Sequence, residues 1–175
     1  ADDLAHIAIQ TNDFAARFML ESPKVALLSF SNFGSSTHPL VVKVQQALSI
    51  VRKARPEIVI DGEMQADTAV NPELSSATFP FNKVAGDANV LIFPDLQSAN
   101  SAYKLLSELG GAERIGPILL GLEKPVYSLS RDSSVSEIVN MATIAAMDVR
   151  DRCALKLGGM QSRSLTTDME RGRSE

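Results

Sequence analysis

The sequence predicts an α/β protein, a three-layer α/β/α arrangement around a parallel-type sheet. Its short apolar runs, KVALLSF, EIVID, NVLIF and ILLGL, are continuous rather than alternating. That pattern marks strands covered on both faces. The runs begin roughly thirty residues apart, the usual size of a βαβ unit. Between them lie segments whose apolar residues recur with the helical period.

The elements follow in order. Asp2 to Met19 reads as a helix, with Asp2 and Asp3 at its positive end and Leu4, Ile7, Ala8, Phe14 and Phe18 on one stripe. Lys24 to Phe30 is the first strand. Pro39 to Arg55 is a helix with Leu40, Val44, Ala47, Leu48 and Val51 on one face. Glu57 to Asp61 is the second strand, stopped by Gly62. A short helix near Gln65 to Val70 leads into a loop bearing proline and serine. Asn89 to Phe93 is the third strand, and Ser98 to Leu109 a helix ended by Gly110-Gly111. Ile118 to Leu122 is a fourth strand and Val135 to Arg152 the last helix. On that helix Ile138, Ala142, Ala145 and Val149 form a stripe, with Met141 and Met147 away from its centre. Such a surface favours association with another lobe or another copy.

Bulk composition narrows the class. The 175 residues suit one domain or a little more, and a hydrophobic content of 45% supports a core. A net charge of −4 with 22% charged residues and no basic block points away from nucleic acid and from anionic membranes. No apolar run approaches the roughly 18 residues of a membrane span. One cysteine, Cys153, allows no internal disulfide and fits a reducing compartment, and with only His6 and His38 there is no zinc constellation. The expectation is a cytoplasmic protein without a metal site on this chain.

In open parallel sheets, ligands sit beyond the carboxyl ends of the strands. Four polar segments fall there. The first, SFSNFGSSTH, offers the hydroxyls of Ser29, Ser31, Ser35, Ser36 and Thr37, and Gly34 permits close backbone approach. It leads into a helix N-terminus, where anions bind readily. It is neither a Walker A loop nor G-x-G-x-x-G. Two readings fit it, an anion cradle and a plain strand-to-helix connection with a cap before Pro39. The others are Asp61 to Asp67, Pro94 to Asn100, and Ser130 to Ser134. Each has a structural reading too. Asp61 and Asp95 can end strands and cap turns, and Ser98 can be an N-cap. Ser134 and Glu137 form the S-x-x-E of a capping box. Tyr103 and Tyr127 read as packing residues with hydrated hydroxyls. Arg131 is harder to explain structurally, because a cation just before a helix N-terminus opposes the macrodipole unless an anion shares the site.

These segments resemble a known family. GPILLGLEKPVYSLSRDSSVSEIVNMATIAAMD resembles the closing segment of phosphate acetyltransferases, and VIDGEMQADTAVNPE and NVLIFPDLQSANSAYKLLSELGGAERIGPIL look like their two preceding signatures. The likeness runs from Ala1 to about Val149. LLSFSNFGSSTHP, DGEMQADTAVNPEL and EIVNMATIAAMD look more like one branch, the phosphotransacetylase-like C-terminal domain of bacterial NADP-dependent malic enzymes.

The resemblance implies an isocitrate/isopropylmalate dehydrogenase-like fold with two lobes. Residues 1–128 would form most of the second lobe, 129–152 a C-terminal helix returning to the first, and 153–175 a polar, mobile tail. It implies a regulatory acetyl-CoA-binding domain of a malic enzyme, a homo-oligomer that oxidatively decarboxylates malate to pyruvate. NADP and Mg or Mn would bind the parent, outside this chain, whose first lobe and malic-enzyme domain would be further partners. The alternatives are an active phosphate acetyltransferase, interconverting acetyl phosphate plus CoA with acetyl-CoA plus phosphate, and a structural dimerisation domain. By the same resemblance, Ser130 would stabilise an oxyanion, Arg131 hold phosphate and Glu137 act as base. Ser29, Ser31, Ser35, Ser36, Asp67, Asn100, Ser130 and Arg131 would bind acetyl-CoA or phosphate. Two departures tilt this reading from catalysis toward sensing. Glu137 is one methylene longer than the family's aspartate, and Asp132 stands where the family has glycine. A carboxylate about 4 Å from a phosphate charge repels it by about 4 kcal/mol at an effective dielectric near 20.

Overall fold

The computed structural model describes residues 1–18, 22–131 and 133–150 of the protein. Met19, Asp132, Arg152, Cys153 and the polar tail lie outside the described residues. The chain divides into two units, Ala1–Ala112 and Glu113–Glu175.

In the first unit the order is α1 (Asp2–Phe18), β1 (Lys24–Leu28), α2 (Pro39–Ala54), β2 (Val59–Met64), α3 (Ala66–Val70), α4 (Pro72–Thr78), β3 (Val90–Ile92) and α5 (Leu96–Gly110). The strands form one parallel sheet in the order β2-β1-β3. The earliest strand is therefore the central one. Val25 lies opposite Ile60 and Val90, and Leu27 opposite Gly62 and Ile92. Successive residues of a strand point to opposite faces, and both faces are covered here. Val25, Leu27, Ile60, Val90 and Ile92 pack with Leu4 and Ala8 of α1 and Val44, Leu48 and Val51 of α2. Ala26, Leu28 and Met64 pack on the other face with Ala69 of α3 and Val84. Each large aliphatic side chain so buried contributes about 1.5–3 kcal/mol. The continuous apolar runs thus have the cause expected of them.

Helix ends are set by identifiable groups. His38 caps α2, its Nδ1 accepting from the Leu40 amide at 3.2 Å, and Pro39 supplies the first helical residue. At the far end, Arg55 donates to both carboxylate oxygens of Asp13 at 3.1 Å, tying α2 to α1. Gly111, at φ 64°, closes α5 with its amide on the Leu106 carbonyl.

Four expectations change. First, β1 stops at Leu28 rather than Phe30, and β2 runs past Gly62 to Met64 instead of ending there. Gly62, at φ 146°, stays in the strand because it has no Cβ: one placed there would lie 2.7 Å from the Leu27 carbonyl oxygen. The ladder shifts register at Leu27/Leu28, beside it. Second, the segment after Val70 holds a helix, α4, capped by Asn71, whose side chain accepts from the Leu74 amide at 3.0 Å. Third, α5 begins at Leu96, so Asp95 rather than Ser98 is its cap. Fourth, Ile118 to Leu122 is no strand. It makes only one antiparallel bridge, Ile118 to Tyr127, and Leu119 and Leu122 stay 47% and 43% exposed. An apolar run becomes a strand only where a neighbour completes its ladder, and none is offered among the described residues.

In the second unit, residues 135–150 form a helix, α6. Its buried positions are Met141 and Asp148, while Ile138 and Val149 of the expected stripe are exposed. The Tyr127 hydroxyl, expected to be hydrated, donates to Asp148 at 3.0 Å. Among the described residues no helix is long and apolar enough to cross a membrane.

Gly62→Ala is expected to lower unfolding free energy by about 3 kcal/mol, read by urea denaturation. At Gly110 a methyl group would meet nothing within 4 Å, and φ is ordinary. Gly110→Ala is therefore expected to be neutral or to stabilise by about 0.5–1 kcal/mol.

Candidate functional site

The β1–α2 loop leaves the carboxyl end of the central strand and folds over the end of β2. Phe33 and Gly34 adopt φ 45° and 87° in succession. That turn aims the Gly34 amide inward, where it donates to Glu63 Oε1 at 2.6 Å. Ser31 Oγ donates to the same oxygen at 3.0 Å, and the Phe33 amide donates to the Glu63 carbonyl at 2.8 Å. Ser31 and Glu63 are each 1% exposed. Gln65 adds a second clasp. Its amide donates to Asn32 Oδ1 at 2.7 Å, and its side chain donates to the Phe30 carbonyl at 2.7 Å. The inward donors of the loop therefore already hold an anion, and that anion is the chain's own Glu63.

The serines differ in what they leave available. Ser31 and Ser35 hydroxyls meet at 2.9 Å. Ser35 Oγ also accepts from the Asn32 amide at 3.1 Å, and its residue is exposed. Ser29 Oγ lies 3.4 Å from the Ser31 amide, and Ser36 Oγ accepts from the His38 amide at 3.2 Å. Thr37 is exposed.

Beneath the loop is an open depression of about 380 Å³, bounded by Phe33, Phe81, Arg52, Lys83, Asp61 and Glu63 among others. Phe33 packs on Phe79 and Phe81 with ring centroids 5.0 Å apart in each case. Asp61, 5% exposed, takes no free role. Its Oδ1 accepts from Arg52 at 2.6 Å and from the Gly62 amide at 2.9 Å, and its Oδ2 from the Lys83 amide at 2.9 Å. A buried carboxylate needs such donors to offset its desolvation.

The carboxyl end of β3 opens on a mostly apolar groove of about 450 Å³ between α1, α2 and the start of α5. Lys43 donates there to the Pro94 carbonyl at 2.7 Å. Asp95 accepts from the Ser98 amide at 2.8 Å, and that bond, with Lys43 adding, holds its carboxyl below the usual aspartate range. Asn100 is exposed on α5. Asp67 is exposed in the first turn of α3, its Oδ1 accepting from the Thr68 amide at 2.8 Å.

In the second unit, Ser130 and Arg131 are exposed just ahead of α6. The capping box forms as its spacing predicts: Glu137 Oε2 accepts from the Ser134 amide at 2.7 Å, and Ser134 Oγ from the Glu137 amide at 3.2 Å. Glu137 Oε1 faces Arg114 Nε at 3.6 Å. Both carboxylate oxygens thus have partners.

Of the expected residues, Ser29, Ser31, Ser35 and Ser36 share one loop in the first unit, joined to β2 through Glu63 and Gln65. Asp67 and Asn100 follow the carboxyl ends of β2 and β3. Ser130, Arg131 and Glu137 lie in the second unit. Glu63, Gln65 and Asn32 lie in the polar segments expected at the strand ends but are not among the expected binding residues. The available signal is a pair of acidic residues, Asp61 and Glu63, flanking a glycine in VIDGEM, hidden by ending that strand at Asp61. Among the described residues no group of three His, Cys, Asp or Glu side chains is placed to hold a metal.

Comparison with known proteins adds the family. The family model described as phosphate acetyl/butaryl transferase matches residues 1–146. The chain is 45% identical over 150 residues to a phosphate acetyltransferase of Clostridium acetobutylicum, covering 86% of this chain and 45% of that protein. A phosphate acetyltransferase of Paracoccus denitrificans is 43% identical over 150 residues, with 86% and 47% covered. The crystal structure of a phosphotransacetylase from Streptococcus pyogenes superposes with a TM-score of 0.81 at 45% identity, covering 86% of this chain and 45% of that one. The α/β fold with its small parallel sheet is thus similar to phosphotransacetylase structures. The chain spans about half the length of the relatives it matches. These findings overturn the expectation of a malic-enzyme regulatory domain, and with it the oxidoreductase activity and the NADP and Mg or Mn of a parent. Two local departures, at Asp132 and Glu137, weigh less than identity spread over 150 residues.

Asp95 provides a pH test of the β3 edge. Its folded-state carboxyl is more acidic than in the unfolded chain. Its contribution is therefore complete above the usual aspartate range and lost as pH falls through the depressed value. The Ser98 amide is expected to lose hydrogen-exchange protection over that acid interval. In Asp95→Asn, which keeps an acceptor without charge, protection should be flat across it.

Proposed function

Because the chain belongs to the phosphate acetyl/butaryl transferase family, we propose that it is part of an active phosphate acetyltransferase, interconverting acetyl phosphate plus CoA with acetyl-CoA plus phosphate. The observation that carries this reading is 45% identity over 150 residues to a protein of that name. CoA and acetyl-CoA are substrates here rather than resident cofactors.

In this reading the CoA thiol gives its proton to Glu137. Its sulfur attacks the carbonyl carbon of acetyl phosphate, a C–S bond forms, and the C–O bond to phosphorus breaks as phosphate leaves. Ser130 donates to the oxyanion of the tetrahedral intermediate. Arg131 binds the phosphate, which also explains a cation ahead of a helix N-terminus. The hold of the Ser134 amide and Arg114 on Glu137 supports its role by fixing where the carboxylate sits. The serine loop, Asp67 and Asn100 take part in CoA recognition beside the strand ends.

The wider architecture belongs to the same proposal. Residues 1–128 form most of the second lobe of an isocitrate dehydrogenase-like, two-lobe domain, and 129–152 return to the first lobe. The coverage of about half of each relative supports this. So do exposed Leu105, Leu106 and Leu109 on α5 and Ile138 and Val149 on α6, apolar surface available to another lobe or another copy. The chemistry, which draws on CoA and acetyl phosphate, suits the cytoplasm.

The test is acetyl-CoA formation by the full-length protein from acetyl phosphate and CoA, followed by thioester absorbance. No turnover above background removes the reading. Ser130→Ala is expected to lower kcat by about 10²–10³. Glu137→Gln keeps a capping-box acceptor and so the start of α6, but loses the base. It is expected to lower kcat by about 10²–10⁴ at unchanged Tm.

A further inference from the structure

We propose that Glu63 is a positioning residue that fixes the direction of the serine hydroxyls, so that the β1–α2 loop presents an acceptor at Ser35 and reads an N–H or O–H donor of its ligand rather than a phosphate. This rests on the reading that the loop takes part in CoA recognition.

A carboxylate only accepts, and a serine hydroxyl has one proton to give. Ser31 gives its proton to Glu63 Oε1 at 3.0 Å. The 2.9 Å contact between Ser31 and Ser35 hydroxyls then has one possible sense: Ser35 donates to Ser31. Ser35 has now spent its proton inward. Its oxygen accepts from the Asn32 amide at 3.1 Å and keeps one lone pair. The residue is exposed, so what it shows a ligand is that lone pair. A phosphate oxygen brought to the same place would set acceptor against acceptor.

The polarity is enforced from below. Glu63 is 1% exposed and its Oε1 is pinned by the Gly34 amide at 2.6 Å. Ser31 is equally buried, and its hydroxyl faces the Glu63 carboxylate on one side and the Ser35 hydroxyl on the other. The carboxylate is the stronger acceptor of the two. The chain Glu63–Ser31–Ser35 therefore carries the acceptor character of a buried side-chain oxygen to the surface of the loop. Within a CoA ester, N–H and O–H donors lie on the pantetheine arm and on the adenosine, and the phosphates offer none; pantetheine, which lacks the adenosine, assigns the donor to the arm.

The full-length protein tests this with CoA, acetyl phosphate and pantetheine as probes. Ser35→Ala and Glu63→Ala are each expected to raise KM for CoA and weaken pantetheine binding by about tenfold, the scale of one hydrogen bond lost or left unmet. KM for acetyl phosphate and kcat should stay within about threefold. Glu63→Gln, whose amide oxygen still accepts from Gly34 and Ser31, should restore KM for CoA to near wild type. A rise in KM for acetyl phosphate instead, a fall in Tm with both KM values unchanged, or a Glu63→Gln no better than Glu63→Ala overturns the proposal. If the wild type binds CoA and pantetheine but does not turn over, the activity reading fails, and the same variants decide this one by calorimetry. Wild type that binds neither ligand overturns both.

Discussion

A carboxylate removed from water costs several kcal/mol unless donors meet it, and the first unit is organised around meeting that cost at Glu63. The donors come from the loop after β1, and they reach Glu63 only because β2 lies parallel to β1 and runs past Gly62 to carry it there. Gly62 itself lies against Leu27, where no other residue fits. The close approach of two strands, the turn at Phe33 and Gly34, and the burial of Ser31 are one arrangement. Asp61, one residue before Gly62, repeats the theme on the other side with Arg52 and the Lys83 amide. Both carboxylates are satisfied, and among the described residues no buried side-chain polar atom lacks a partner.

The second unit handles its charges differently. Glu137 is held at a helix start by a backbone amide and an arginine, partly exposed to solvent. Asp148 is buried and bonded to Tyr127. A group fixed by a capping box has its position set by the helix, so its place in the chain and its chemistry are linked. That linkage makes glutamine a clean replacement and alanine a confounded one.

Much of the sheet was legible because burial on both faces leaves a plain mark, the continuous apolar run, and because βαβ units have a regular length. The serine loop and the capping box were legible for the same reason: local bonds follow local spacing. What was not legible depended on partners distant in sequence. Nothing near Gly62 announces that Leu27 will lie against it, and a glycine after an apolar run reads as the end of a strand. Nothing near Glu63 reveals Ser31, and a run such as Ile118 to Leu122 looks like a strand whether or not a neighbour exists. The branch of the family is hard to read from local sequence for a related reason. A few loop residues point to one branch, whereas agreement over 150 residues constrains the assignment far more.

The strand order β2-β1-β3 has a consequence for assembly in time. The central strand is made first, but its two flanks arrive about 35 and 65 residues later: Val25 must wait for Ile60 and then Val90. Such non-local pairing slows closure of a sheet. On a ribosome, β1 emerges as an apolar segment with both edges unpaired and is vulnerable to association with other chains until β3 is complete. Helix α1, which precedes β1 in the chain and packs against β1, β3 and α2, is already made when β1 emerges and can cover that strand. Helix α1 thus has a protective part in synthesis as well as a packing part in the finished fold.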